Sequence, residues 1–426
     1  MPTDVDLPLP ASSDRHSTFA WNALLRCSPP RRALSLYSRS MLCSPVAPNK
    51  FTFTFLIKAS LRASAPQLAT HLHCHLVKFG LSFDPFLQSA LVAAYAEAGR
   101  LPDVRQLHRH GAPADVVVQT ALVSAYAKCG LPDEARRVFE NMPVVNSVTW
   151  AALVSGYGRC GRDAEALQVF RRMCVAGVEP TEACLISALS ASARLGDLEE
   201  GRWVHQLLNR GGAALPTRLG TALLTMYAKC GSIDSATRVF DTIPQRDQQA
   251  WAAMISALAA HGQGSQALHL FHEMVARGLR PDGVTYVGVL SACSHAGLAE
   301  EACRHFNCMT MVYDIVPGTE HYGCMVDVLG REGRVEEAWA MVRAMPVEPD
   351  EFVLKSLLSS CCSHGYMDYA EWAAGKLMDI DTGHASSYVL LSNMYASMGR
   401  WEDSARVRKM MRRRGVPKAP GRSVMD

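Results

Sequence analysis

Apolar residues along the chain recur at the spacing of amphipathic α-helices. Within residues 131–142 they form one helical face at i, i+4, i+7, i+8 and i+11, occupied by Leu131, Ala135, Val138, Phe139 and Met142. The preceding segment, 117–128, has an apolar face of its own. Gly130 between them favours the positive φ of a helix C-terminus, and Pro132 suits the first turn of the next helix. The pattern predicts a helical hairpin.

This hairpin pattern is repeated. The tetrapeptide Ala-Lys-Cys-Gly that ends at Gly130 recurs 101 residues later and ends at Gly231. The same offset relates Trp150 to Trp251, Phe139 to Phe240, Pro143 to Pro244 and Pro180 to Pro281. Glycines recur at steps of 31 to 36 residues, at Gly99, Gly130, Gly161, Gly196, Gly231, Gly262, Gly297, Gly333, Gly365 and Gly399. Five residues after each glycine from Gly130 to Gly365 stands a small residue, which lets the two helices of a hairpin approach closely.

These features predict an array of about twelve units. They are residues 18–49, 50–84, 85–115, 116–146, 147–181, 182–216, 217–247, 248–282, 283–318, 319–350, 351–384 and 385–418. The first two have Arg32 and Ser64 where the others have glycine. One hairpin cannot bury its apolar face alone, whereas stacked neighbours can. The predicted fold is therefore all-α: a right-handed α-solenoid superhelix of helix-turn-helix repeats.

Composition narrows the class further. Of the 426 residues 49% are hydrophobic and 19% are charged, which excludes a disordered chain. No run of about 18 apolar residues appears, so no membrane association is expected. The fourteen cysteines include no Cys-x-x-Cys pair and fall mostly in apolar helical stretches, which predicts buried thiols in a reducing compartment. A net charge of +3 exerts no overall attraction on nucleic acid, so any such binding depends on local arrangement.

Segment 147–181, with Trp150, Gly161, Ala166, Phe170 and Pro180, resembles a pentatricopeptide repeat. Segment 217–247 resembles the short form of that repeat. The mixture of 31-, 35- and 36-residue units resembles the plant subclass built of standard, long and short repeats. The resemblance covers residues 18–426 and implies a protein that binds single-stranded RNA in an organelle.

The C-terminal part resembles a specific branch of this family. Segments 351–384 and 385–418 are similar to the E-type extension motifs that follow the last repeats in RNA-editing members. Residues 420–423 resemble the start of the junction that precedes a cytidine-deaminase-like domain, and the chain ends at Asp426. The predicted organisation is a short leader (1–17), about ten repeats (18–350), two extension motifs (351–418) and a truncated tail (419–426).

The sequence does not predict an enzyme. A zinc deaminase needs His-x-Glu and a downstream Cys-x-x-Cys, and neither is present; His272-Glu273 lacks the spacer. No Walker-type phosphate loop is found. His71 and His75 share one helical face, but a helix face beside core leucines explains them better than a metal site. No catalytic residue, metal or cofactor is therefore expected, and C-to-U editing would require a deaminase supplied in trans.

The expected RNA contacts are side-chain couples that recur once per repeat. In the family that the chain resembles, the fifth and last residues of a repeat read one base. Carried over, the couples are Asn22 with Asn49, Ser89 with Asp115, Thr120 with Asn146, and Thr221 with Asp247. A carboxylate only accepts hydrogen bonds and suits guanine, whereas an Asn amide both donates and accepts and suits adenine. The alternative interpretation is that these residues are ordinary helix caps.

The couples predict a base pattern. Units 85–115 and 116–146 should read 5′-GA, and unit 217–247 should read G three bases after that A. Unit 18–49 should prefer C or U two bases before the GA. Ala151, Ala252 and Gly323 occupy the fifth place in other units and lack the polar group, so about four bases are specified.

Selection of a transcript site for editing is the function that the resemblance favours. A role in RNA splicing or stability and a protein-binding helical-repeat adaptor remain as alternatives. The expected location is a mitochondrion or chloroplast, with the mitochondrion slightly favoured, although residues 1–17 hold three Asp and one Arg, unlike an import signal. Residues 400–418 contain eight Lys or Arg and two acids, which suits either a solvated helix or a phosphate or partner contact.

Overall fold

The structure, a computed structural model, describes residues 17–43, 45–110, 115–209, 215–380 and 385–413. The predicted tail and all of the predicted leader except Ser17 lie outside these ranges. All regular elements in the described ranges are helical: 24 α-helices, a π-helical turn (Tyr37–Met41) and a 3-10 turn (Pro66–Leu68).

The odd-numbered helices are the first helices of the hairpins, and each begins at the first residue of a predicted unit. They are α1 (Thr18–Cys27), α3 (Lys50–Arg62), α5 (Pro85–Glu97), α7 (Val116–Lys128), α9 (Ser147–Arg159), α11 (Glu182–Leu195), α13 (Thr217–Lys229), α15 (Gln248–Ala260), α17 (Gly283–Ala296), α19 (Thr319–Arg331), α21 (Glu351–His364) and α23 (Ala385–Ser397).

The even-numbered helices are the second helices. They are α2 (Pro30–Leu36), α4 (Ala69–Lys78), α6 (Leu101–His110), α8 (Pro132–Glu140), α10 (Asp163–Val175), α12 (Leu198–Asn209), α14 (Ile233–Thr242), α16 (Gly264–Ala276), α18 (Ala299–Met311), α20 (Val335–Arg343), α22 (Met367–Ile380) and α24 (Trp401–Arg413).

Packing divides the chain into two compact units, residues 1–207 and 208–426. Within the first unit each first helix from α1 to α9 packs on the one that follows it, up to α11. Within the second unit each first helix from α13 to α21 packs on the one that follows it, up to α23. Most second helices pack on the first helix of their own hairpin and on that of the next, as α8 does on α7 and α9 and α16 does on α15 and α17. Each unit therefore has a continuous layer of first helices.

The turns within the hairpins follow the glycine positions. All ten glycines of the repeat pattern have positive φ, for example +75° at Gly130. In the second repeat, residues 50–84, Ser64 stands in place of the glycine and takes the same left-handed conformation with a φ of +54°. The first hairpin turns differently, because Ser28 and Pro29 are extended and Arg32 lies inside α2. A residue before proline is disfavoured in the helical region, which explains the extended link.

The core repeats with the hairpins. Seven alanines that follow the turn glycines are fully buried at 0% exposure: Ala135, Ala166, Ala236, Ala267, Ala302, Ala338 and Ala370. The aromatic pairs related by the 101-residue offset are the same contact made twice. Phe139 meets Trp150 edge-on at 4.6 Å between ring centroids, and Phe240 meets Trp251 edge-on at 5.1 Å.

The prediction that the cysteines are buried is correct only in part. All fourteen thiols are free, but four are buried (Cys184, Cys293, Cys324 and Cys361), and four are exposed (Cys27, Cys43, Cys74 and Cys160). Burial raises the pKa of the buried thiols, to about 12 at Cys184. The exposed cysteines lie near helix ends or on outward faces, where the apolar pattern of the sequence is weakest. None of the described helices has the length and apolar character that crossing a bilayer requires.

Close packing between α7 and α9 depends on a glycine. A Cβ placed on Gly156 of α9 would lie 2.6 Å from the Cβ of Ala127 in α7, so the contact leaves no room for a side chain on α9. Gly375 of α22 is also inside a helix, but a Cβ there would meet nothing within 4 Å.

We predict opposite effects of the same substitution at these two glycines. Gly156→Ala should lower the free energy of unfolding by about 1–3 kcal/mol, because overpacking outweighs the gain in helix propensity. Gly375→Ala should raise it by up to about 1 kcal/mol. Urea unfolding followed by far-UV circular dichroism measures both, and stabilisation by Gly156→Ala would show that the helices can separate freely.

Candidate nucleic-acid interface

The last residue of most units caps the first helix of the next unit. In each case a side-chain oxygen accepts a hydrogen bond from a backbone N–H in the first turn. This holds for Asn49, Asp84, Asp115, Asn146, Thr181, Asp247, Asp282 and Asp350. The cap interpretation of these residues is therefore correct. It leaves the second polar atom of each Asn or Asp side chain for another partner.

The couple Thr120 and Asn146 is joined through a third side chain. The hydroxyl of Thr149 lies 3.1 Å from the hydroxyl of Thr120 and donates to Oδ1 of Asn146 over 2.8 Å. Oδ1 of Asn146 also accepts from the backbone N–H of Thr149 over 2.9 Å. Thr149 is fully buried, whereas Asn146 is exposed, and Nδ2 of Asn146 has no hydrogen-bond partner among the described residues. The amide is held by its oxygen and presents its N–H₂ group.

The couple Asn22 and Asn49 is bonded directly. Nδ2 of Asn22 donates to Oδ1 of Asn49 over 3.0 Å, and Oδ1 of Asn22 accepts from the hydroxyl of Thr52 over 2.6 Å. Asn22 is 8% exposed. An amide has two N–H groups and two lone pairs, so one of each remains on Asn22 for a ligand.

In each of the other two couples, Ser89 with Asp115 and Thr221 with Asp247, the two side chains are not hydrogen-bonded to each other in the described structure. The hydroxyl of Ser89 donates to the carbonyl of Phe86 over 2.8 Å, and the hydroxyl of Thr221 donates to the carbonyl of Thr217 over 2.9 Å. Their partners cap the next helix: Oδ1 of Asp115 accepts from Val117, and Oδ1 of Asp247 accepts from Ala250. Oδ2 of each carboxylate remains available, and Asp247 is exposed.

The structure shows a further set of candidate residues that the sequence pattern did not predict. They occupy the second position of the repeats. Large apolar side chains are exposed there in seven units: Phe19, Phe51, Phe86, Val117, Val148, Val284 and Phe352. Exposure reaches 83% at Phe19 and 65% at Phe86. The sequence feature that could have identified these residues is an apolar residue at the start of a helix, on the face opposite the core. Exposed aromatic side chains are platforms on which bases stack.

Two cavities on the first-helix layers bring these positions together. In the first unit, a cavity of about 290 Å³ between α1 and α3 is lined by Phe19, Asn22, Arg26 and Phe51. Phe19 and Phe51 are second residues of consecutive repeats, and Asn22 is the fifth residue between them. An aromatic wall on each side, an amide and a cation therefore surround one space.

The second unit has a cavity of about 550 Å³ at the corresponding register, along α13, α15 and α17. Its lining includes Gln249 and Val284, the second residues of consecutive repeats, and Ala252 and Asp282, the fifth and last residues. Lys229 also lines it. The same repeat positions thus form a cavity in both units although the residues differ, and a cation accompanies each.

The histidines of α4 have structural partners. Nδ1 of His73 lies 2.9 Å from the hydroxyl of Tyr95, and Nδ1 of His75 lies 3.0 Å from the hydroxyl of Tyr37. Burial is the main cause that lowers the pKa of both histidines. These bonds tie α4 to the hairpins on either side. In the part of the chain that the structure describes, no group of three or more His, Cys, Asp or Glu is arranged to hold a metal ion.

Comparison with known proteins gives the class. The family profile described as "PPR repeat" matches residues 120–146, 148–178, 284–311 and 320–348, and "PPR repeat family" matches 246–295. The profile described as "E motif" matches 364–426, which overlaps the predicted extension at 351–418. A solved structure, that of the pentatricopeptide repeat protein PPR10 in complex with an 18-nt psaJ RNA element, superposes with a TM-score of 0.76 at 17% identity, covering 92% of this chain and 60% of that one. The predicted class of an all-α helical-repeat solenoid is confirmed.

The relatives place the chain more closely. Pentatricopeptide repeat-containing protein At2g20540 of Arabidopsis thaliana is 42% identical over 96% of this chain and 78% of its own length. At5g66520 of the same plant is 46% identical over 97% of this chain and 67% of its own length, and ELI1, chloroplastic, is 43% identical over 93% and 62%. The chain belongs to the plant pentatricopeptide repeat family, and its repeats are followed by an E motif.

The cap bond of Asn146 leads to a stability prediction. Asn146→Ala should lower the free energy of unfolding by about 0.5–2 kcal/mol, because the backbone N–H of Thr149 in the first turn of α9 loses its side-chain acceptor. Asn146→Asp should leave it nearly unchanged, since a carboxylate caps equally well and suits the helix dipole. Urea unfolding measures both variants, and equal stability of Asn146→Ala and the parent would remove the cap role.

Proposed function

We propose that this protein binds single-stranded RNA along its first-helix layers and recognises part of the base sequence. The observation that carries the proposal is the pair of cavities, one in each unit, in which second and fifth repeat positions meet beside a cation. Stacking platforms with positive charge are what single-stranded nucleic acid requires, and hydrogen bonds to base edges supply specificity. The likeness to a solenoid solved with bound RNA supports the proposal.

The cap bonds explain how the couples discriminate bases. In each couple the helix start takes Oδ1, so what remains is a donor at Asn146 and an acceptor at Asp115 and Asp247. Nδ2 of Asn146 suits N1 of adenine, which only accepts. Oδ2 of Asp115 or Asp247 suits the N–H donors on the Watson–Crick edge of guanine. The helix cap thus fixes which polar atom faces the base.

The recognised pattern follows from the order of the units. A pyrimidine at unit 18–49, G at 85–115, A at 116–146 and G at 217–247 give 5′-Y-N-G-A-N-N-G. The hydroxyls of Ser89, Thr120 and Thr221 are short and leave room for a purine. In unit 18–49 the fifth residue is Asn22, and its side-chain amide fills the space that a hydroxyl leaves open in the other units. This supports a preference for the smaller pyrimidines.

Reciprocal substitutions test the reading directly. Asn146→Asp should shift the base preferred by unit 116–146 from A to G, and Asp247→Asn should shift that of unit 217–247 from G to A. Each change should alter discrimination between the two bases by about tenfold, since one hydrogen-bonding atom changes from donor to acceptor or the reverse. Fluorescence anisotropy with four RNAs that carry A or G at the two positions measures this discrimination. If neither substitution changed the preferred base, the assignment of repeats to bases would be wrong.

The exposed second-position aromatics should supply affinity without specificity. Phe51→Ala and Phe86→Ala should each weaken binding by about fivefold or more for every RNA tested, because a stacked base loses its platform. Val175→Ala is the matched control, since Val175 is 89% exposed but lies at the end of a second helix. The same anisotropy assay applies, and an effect of Val175→Ala as large as that of Phe51→Ala would argue against stacking.

We propose that this recognition selects a site for C-to-U editing in a chloroplast or mitochondrion, with the deaminase acting in trans through the C-terminal extension. The match to an E motif and the chloroplastic label of relatives such as ELI1 support this proposal. Sequencing RNA crosslinked to the tagged protein in plant organelles tests it, and bound sites should lie beside edited cytidines. Crosslinks at intron boundaries or transcript ends would favour splicing or stability instead. A protein adaptor would yield no RNA enrichment, and its binding would not weaken steeply with salt.

A further inference from the structure

Charge is distributed unevenly among the second helices of the unit formed by residues 208–426. Helices α14, α16, α18, α20 and α22 each carry a net charge of −1 or −2. The last described helix, α24, contains five Lys or Arg residues and two acids, for a net charge of +3. A positive surface of this strength on one helix attracts an anionic partner locally, although the charge of the whole chain is small.

The cations of α24 are largely free of acidic neighbours. Arg406 pairs with Asp403 over 3.0 Å, and Nε of Arg408 donates to the hydroxyl of Ser392 over 2.8 Å. The side chains of Lys409, Arg412 and Arg413 are exposed and have no ion pair or hydrogen bond with any residue that the structure describes. Elsewhere in the same unit several arginines pair with an acid three or four residues away, as Arg277 does with Glu273 and Arg334 does with Glu337.

An exposed aromatic residue belongs to the same surface. Trp401 begins α24 and is 69% exposed. It shares one helical face with Arg408 and Arg412, at i, i+7 and i+11, and Lys409 and Arg413 lie beside that face. A face about 90° around the helix is buried through Ser404, Val407 and Met411. We call the surface formed by Trp401, Arg408, Lys409, Arg412 and Arg413 the basic face of α24.

We infer that the basic face of α24 binds single-stranded RNA on the 3′ side of the bases read by the repeats. Trp401 stacks on a base, and Lys409, Arg412 and Arg413 contact phosphates; the inference rests on the proposed function. Stacking next to cations is the combination that single-stranded RNA uses. The helix dipole favours cations in the last turn and accounts for Arg412 and Arg413, but it does not account for Lys409 or for a tryptophan left in solvent. α24 packs on α23, the last first helix that the structure describes, so it borders the end of the first-helix layer.

RNA length and polarity separate this contact from the repeats. Three RNAs are compared with the full chain: a core RNA with one base for each of the ten repeats in 18–350, the core with six added nucleotides on its 3′ side, and the core with six added on its 5′ side. The 3′-extended RNA should bind about tenfold tighter than the core. The 5′-extended RNA should bind like the core. Equal binding of both extended RNAs would overturn the inference, because a general charge effect has no polarity.

Two variants test the residues. Lys409→Gln/Arg412→Gln/Arg413→Gln should abolish the gain from the 3′ extension and reduce the slope of log affinity against log salt by about 0.7 for each lost phosphate contact. Trp401→Ala should reduce the gain by about fivefold or more, with a smaller change in slope. The matched control Arg238→Gln/Arg304→Gln/Lys376→Gln removes three exposed charges from other second helices of the same unit and should keep the gain.

The outcomes distinguish the two proposals. If no variant or parent binds the core RNA, the proposed function fails. If the core RNA binds and the 3′ extension adds nothing, or if the triple variant keeps the gain, the inference fails while the proposed function stands. Failure of the inference alone would be the result expected if the natural ligand of the basic face of α24 were an acidic protein and not RNA.

Discussion

The hydrogen bond between the last side chain of one unit and the first turn of the next helix links the fold to the candidate site. It satisfies N–H groups that a helix start leaves without partners, so it fixes where each first helix begins. Oδ1 of Asn146 and of Asp247 accepts a hydrogen bond from the first turn of the helix. The second polar atom, Nδ2 of Asn146 or Oδ2 of Asp247, therefore has a fixed direction and a fixed hydrogen-bonding character. Each hairpin that is capped in this way by Asn or Asp presents one defined polar group, and these groups recur at the interval of the fold.

The sequence predicted this architecture closely because its signals are local and recur. A glycine that must take positive φ, a small residue five places later and a helical apolar face recur along the chain, and the structure uses each as expected at Gly130 and Ala135. The pairing of Phe139 with Trp150 was visible only as two features that share an offset. That they form one contact follows from the hairpin geometry, in which the end of a second helix meets the next first helix.

The parts that the sequence did not predict depend on neighbours in space. Thr149 bridges Thr120 and Asn146, but its own pattern is that of a buried threonine near a helix start. Asn22 was expected to read a base, and the structure shows that half of its hydrogen-bonding capacity is used by Asn49 and Thr52. The exposed phenylalanines at second positions looked like core residues by composition, since periodicity alone does not separate a buried face from a stacking surface.

The central claim is that ordered couples on the first-helix layer read a defined base pattern. Selection of RNAs from a random pool by the full chain, followed by sequencing of the bound fraction, tests it without assuming a target. The account predicts enrichment of G-A with a further G three positions after the A and a pyrimidine two positions before the G-A. Enrichment of a motif with different spacing, or of composition without spacing, would contradict it.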